Sequence, residues 1–220
     1  AVFDSNSTVN VKLERNVGTI YKLKVLNGYS GTINLNGKKL ATQNNMLINS
    51  GTVLVPANST LQSYKDLYIG TNGTVTASGD ASRIKVKSNL KIYGVLTAPS
   101  GGGDRFIVKG GFNLYSGGTF NHNNGTVTLT TRYKHTSARI YIQDGPGTGR
   151  NFYNLNKNFK QGIYLQNHIE IENDLLIWGK GYIRAKNSSN TSFNITVGGD
   201  IDFQKSTNFQ ANSGKVILNG

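Results

Sequence analysis

The chain has 220 residues, with 27 Gly, 3 Pro, no Cys and a formal net charge of +13. That length is enough for one sizeable domain with a real core. The absence of Cys excludes disulfides and thiol chemistry, and no run of apolar residues is long enough for a membrane-spanning helix. Only 16% of residues are charged, so the basic excess points to an anionic neighbour or to a solvated Lys-bearing surface.

The opening AVFDSNST lacks a basic stretch followed by an apolar one. Any signal peptide is therefore expected to have been removed. From there the chain reads as short alternating strands: TVNVKL, IYKLKV, TINLNG, RIKVKS, TVTLTT, ARIYIQ, IEIEND and KVILNG. Gly, Asn and Ser clusters separate them, and helical periodicity is nearly absent. The chain is all-β.

The strands recur on a longer scale. MLINSGTVLVPA from Met46, DLYIGTNGTVTA from Asp66, NLKIYGVLTA from Asn89 and GFNLYSGGTFN from Gly111 share one plan, and DLLIWGKGYIRA from Asp174 is a later relative. Leu67, Leu90 and Phe112 fall 23 and 22 residues apart. A spacing near 22 suits one coil of a right-handed parallel β-helix, with about ten coils making a rod roughly 50 Å long. Inward residues should stack in columns: Leu47, Leu67, Leu90, Phe112; Ile69, Ile92, Leu114, Ile177; and Val53, Val75, Leu96, Phe120. The alternative architecture is a β-sandwich or jelly roll.

A coarser repeat overlies the coils. IVKGG at Ile107 matches ITVGG at Ile195, and FNHNNGTVTL at Phe120 matches both FQANSGKVIL at Phe209 and the opening FDSNSTVNVK at Phe3. The reading is one elongated domain over 1–220 with long repeats at 3–119 and 120–208, and a third start at 209–220. Segments 130–150 and 187–194 read as insertions.

Phrases such as NFYNLN from Asn151, ITVGGDIDF from Ile195 and NSGKVILNG from Asn212 resemble the Asn/Thr/Gly-rich β-strand repeats of secreted bacterial and archaeal surface proteins and adhesins. The likeness is plain over 107–131 and 151–220 and looser over 1–106. It implies a right-handed β-helix in an extracellular stalk, adhesin or matrix component rather than an enzyme.

No catalytic or cofactor-binding residue stands out. GPGTGR at 145–150 lacks the Lys, the following Ser or Thr and the helix of a phosphate loop. Glu170, Glu172, Asp200 and Asp202, with Asp174 between them, read as an acidic patch, a weak metal site or a carbohydrate-cleaving pair. With Trp178, Tyr164 and Tyr182 they would build the groove of a carbohydrate-binding or carbohydrate-cleaving β-helix. His122, His135 and His168 read as isolated surface residues. Arg83, Lys85, Lys87 and Lys91 alternate with Ile84 and Val86, and Arg105 and Lys109 follow; stacking would gather them into a stripe for an anionic polysaccharide or extracellular DNA. Sequons at Asn58, Asn72, Asn187 and Asn190 are glycosylation candidates.

Neither end carries a capping helix pattern, and both ends use the same phrase. Val9, Val11 and Leu13 at one end, and Phe209, Val216 and Leu218 at the other, are therefore the expected subunit contacts of a head-to-tail homopolymer, a secreted filament or surface layer serving adhesion or biofilm matrix.

Overall fold

The computed structural model describes residues 1–7, 9–131, 138–178, 181–187, 189–204, 207–210 and 212–219. Every strand pair in it is parallel, and no helix occurs among the described residues. The chain is a parallel β-solenoid with turns about 22 residues apart. A nine-stranded sheet supplies one strand per coil. Nine coils at strand spacing give about 40 Å, one coil fewer than the spacing predicts.

Each coil places strands in three rows, here called faces. Face one runs from Val2–Phe3 through Leu23–Val25, Leu90–Ile92, Phe112–Leu114 and Ile163–Leu165 to Thr207–Gln210. Face two begins with Val11–Lys12 and Thr32–Asn34, includes Val95–Thr97 and Thr119–Asn121, and resumes with Ile169–Ile171, Ile195–Val197 and Val216–Leu218. Met46–Val55 and Leu67–Ala77 each bend from face one to face two. Face three is the nine-stranded sheet, from Thr19–Ile20 to Ile201–Phe203.

Alternation makes the core. Strand after strand reads buried, half-exposed, buried, because successive side chains point to opposite sides. Val53, Val75, Leu96 and Phe120 form one column as expected. Leu67, Leu90 and Phe112 form another, but its next member is Met46, not Leu47. The phrase MLINS places Met46 and Ile48 inward; a one-residue slip in reading register exchanges the two sides of a strand. Ile69, Ile92 and Leu114 also align. Ile177 does not join them: it lies on face three, paired with Lys157 and Phe203.

Tight corners hold the coils. Gly51 and Gly73 pair in register. A Cβ on Gly73 would overlap the Ile48 carbonyl oxygen, so this corner admits no side chain.

Asparagine and aspartate tie coil to coil at the strand starts. Asn45 Oδ1 accepts from the Asp66 N–H, Asp66 Oδ1 from the Asn89 N–H, and Asn89 Oδ1 from the Gly111 N–H. A second ladder runs from Asn154 through Asp174 to Asp200, and a third from His168 through Asn194 to Lys215. Each side chain satisfies a backbone donor of the following coil. Asn89→Ala is expected to cost about 2 kcal/mol in thermal denaturation, whereas Asn89→Asp, which keeps the acceptor, costs about half of that.

The long repeats occupy different faces. The phrase at Phe120 runs from face two to face three; its match at Phe209 runs from face one to face two. Ile107 lies on face three and Ile195 on face two. The opening phrase at Phe3, like that at Phe209, runs from face one to face two.

Candidate functional site

The acidic residues separate. Glu170 lies on face two opposite Thr196, while Asp202 lies on face three beside Leu176. Asp174 and Asp200 belong to the second backbone ladder. Glu172 is engaged by His122, with Nε2 and Oε2 3.1 Å apart, and by the Asn151 amide. Among the described residues no group of three His, Asp or Glu is placed to hold a metal ion.

The His122 constellation is absent from the sequence reading, which treats the three His as isolated. His122 stacks on Tyr153 and bridges to Glu172, tying together coils whose chain separation gives no hint of contact. Its Nδ1 accepts the Asn124 N–H. Both ring nitrogens are thus engaged by groups of the chain itself. His168 likewise spends Nδ1 on the Asn194 N–H and meets Phe193 edge-on. His135 lies outside the described residues.

The aromatic groove expected for sugar cleavage is not assembled. Tyr164 and Tyr182 share a hydroxyl–hydroxyl hydrogen bond on face one, with the Arg184 guanidinium over both rings. Trp178 is on face three and Glu170 on face two. A tyrosine row, Tyr68, Tyr93, Tyr115 and Tyr141, also runs along face one; Tyr93 and Tyr115 stack at 4.0 Å, so the rings cover each other. A shallow cavity of about 360 Å³ beside this row is lined by Leu47, Asn49 and Tyr68.

GPGTGR forms a turn. Arg150 pairs with Asp144 at 3.5 Å and donates to the Gly118 carbonyl, while Gly149 accepts from the Phe120 N–H. In this coil face two is reduced to one parallel bridge, Phe152 to Ile171, which follows the loop.

The basic residues form a smaller set than the stripe drawn from sequence. Arg83 and Lys85 lie on the face-three strand Arg83–Val86, with Lys87 just beyond it. Lys109 is the register neighbour of Lys87 one coil on, since Val86 pairs with Val108. Lys91 is elsewhere: on face one, 3.0 Å from Asp66. Burial alone would raise the Asp66 carboxyl, but the Asn89 N–H, Ser88 and Lys91 outweigh it and hold the group below its ordinary value. Arg105 turns back to the Ser100 carbonyl. Burial, and then the charge of Lys87, pushes Lys109 below the ordinary lysine value.

The sequons lie at corners and loops. Asn58 and Asn190 are exposed with φ of 60° and 62°. Asn72 is exposed within Leu67–Ala77. Asn187 is half-buried, and its Oδ1 accepts from the Ser189 and Thr191 N–H groups.

The expected subunit contacts fall on the two ends of the coil stack. Val11 pairs with Ile33, and Val9 is 69% exposed; the Leu13 N–H bonds to Asn34. Phe209 pairs with Ile183, and Val216 with Ile195; Leu218 is 66% exposed. Models of known protein families, curated proteins and solved structures give no match to this chain.

Proposed function

We propose that the chain is a structural subunit of an extracellular filament or surface layer, growing by coil-on-coil stacking with copies of itself. The observation that carries this reading is the coil-on-coil stacking itself: coils about 22 residues apart pair in parallel along every face, each layer seated on the one before it through the same backbone pattern.

A layer of parallel strands is a template for another strand layer. Parallel strands make the two ends complementary rather than alike, so the contact is heterologous and extends as a filament. The backbone ladders give it direction. The ladder from Asn154 through Asp174 to Asp200 has each side chain accepting from the next coil's backbone in one direction, so copies that extend it would add in one orientation. The resemblance to Asn/Thr/Gly-rich surface repeats supports an extracellular setting and a role in adhesion or biofilm matrix.

Sedimentation and electron microscopy test this. The intact chain should form fibres, and Val216→Lys combined with Leu218→Lys should leave folded single rods. Single rods from the intact chain at high concentration, with no fibres, would overturn the proposal.

A further inference from the structure

Face three carries an axial row of outward side chains. Register places Tyr64, Lys87, Lys109, Thr130, Asn158 and Trp178 on six consecutive strands, each just past a buried inward position. At parallel-strand spacing the row spans about 24 Å. Its composition is graded. Lys87 and Lys109 lie near one end, with Arg83 and Lys85 beside them; Thr130 and Asn158 follow; Trp178, 42% exposed, closes the other end.

Three observations point to a ligand. None of Arg83, Lys85, Lys87 and Lys109 makes an ion pair with a described carboxylate. Lys87 and Lys109 are register neighbours one coil apart, and the charge of Lys87 weighs against that of Lys109 more than Asp104 offsets it, a site that an anion would stabilise. Next to the row, the buried Asn156 Oδ1 finds no hydrogen-bond donor.

We propose that face three binds an anionic polysaccharide lying parallel to the coil axis. The lysines take carboxylate or sulfate groups, Thr130 and Asn158 meet hydroxyls, and the Trp178 indole stacks on a sugar ring. A nucleic acid fits the same face less well. Phosphates would require cations along the whole row, but its middle is neutral. Stacked bases would require an aromatic platform at each step, and no ring stands in the row between Tyr64 and Trp178; the row's other ring, Tyr21, lies two coils beyond Tyr64. The side wall is independent of the end layers, so this inference does not rest on self-assembly.

Binding assays with alginate, heparin, dextran and single-stranded DNA, on the intact chain at about 50 mM salt, test the proposal. Alginate or heparin should bind, weakening steeply toward about 200 mM salt, and dextran should not. Preference for alginate would identify uronate carboxylates as the recognised group, and preference for heparin sulfate esters. Lys87→Ser with Lys109→Ser should lose about tenfold or more in affinity, and Trp178→Ala about tenfold. Lys12→Ser with Lys24→Ser removes the same charge from the other faces and should change affinity less than about twofold. Equal loss in that control would show that net charge alone binds. Tighter binding of DNA, unaffected by Trp178→Ala, would overturn the proposal in favour of a nucleic acid. No binding of either anionic glycan would overturn it outright.

Discussion

Phe112→Ala is expected to destabilise the chain by about 4 kcal/mol and to make it unfold in two steps. Phe112 is fully buried, with ring centroids 5.0 Å from Phe120 and 4.9 Å from Phe152; Phe106 lies 6.1 Å from Phe120. This aromatic cluster is in the middle of the stack, where the 144–150 loop lengthens the coil and leaves only a short bridge on face two. Contacts across it span 27 and 32 residues, against 22 or 23 in the earlier coils. With face two of this coil reduced to the single bridge of Phe152 to Ile171, the rings carry more of the coupling between the two halves. A solenoid is quasi-one-dimensional, so a weakened interface lets the halves part separately. The single Trp, Trp178, reports the later coils by fluorescence, while far-ultraviolet circular dichroism reports all of them. In urea the two signals should coincide for the parent and diverge for the variant. Coincident transitions in the variant would show that coupling runs elsewhere.

The coil was legible because its cause is local. Alternation, Gly corners and a spacing near 22 are each visible in MLINSGTVLV and its relatives, and parallel stacking is the one arrangement that turns such spacing into columns. Which of Met46 and Leu47 faces inward was not legible, since both are apolar and neighbours on a strand differ only in side. The long repeat misleads for a related reason. The strand-and-turn phrase suits any face, so matching phrases at Phe120 and Phe209 land on different ones.

The candidate site shows the same division. Arg83 and Lys85 share a strand, so alternation alone places them together. The separation of Lys91 onto face one, the pairing of Lys87 with Lys109 and the His122–Glu172 bridge all depend on how coils of unequal length come into register. Asparagine abundance, read as a surface-protein signature, has a structural cause in the ladders. Short amide and carboxylate side chains at strand starts bond backbone donors of the next coil. Asp66 and Asp174 are thereby explained without catalysis.

Lys157→Met is expected to stabilise the chain at neutral pH by about 2 kcal/mol. Lys157 is completely buried in an inward column between Leu129 and Ile177. Its ammonium donates to the Phe159 carbonyl at 2.7 Å and lies 4.5 Å above the Phe159 ring. Burial pulls its pKa from 10.5 to about 8. That difference corresponds to at most about 3 kcal/mol disfavouring the charged form. Residual screening and the hydrogen bond lost from Phe159 reduce the net gain in the variant. The pH dependence has a definite sign. Below about 8 the lysine is protonated in both folded and unfolded chains, and the full cost applies. Between about 8 and 10.5 the unfolded chain binds more protons, so stability rises with pH through that window. Methionine removes this contribution. The variant should therefore melt about 6 °C higher at pH 7, and its advantage should shrink as pH approaches 10.5. Parent and variant share every other titratable group, so the difference between them isolates Lys157. A constant difference across the window would mean that Lys157 binds its proton alike in the folded and unfolded chains, and a variant less stable than the parent at pH 7 would mean that the Phe159 contacts outweigh the cost of burying the charge.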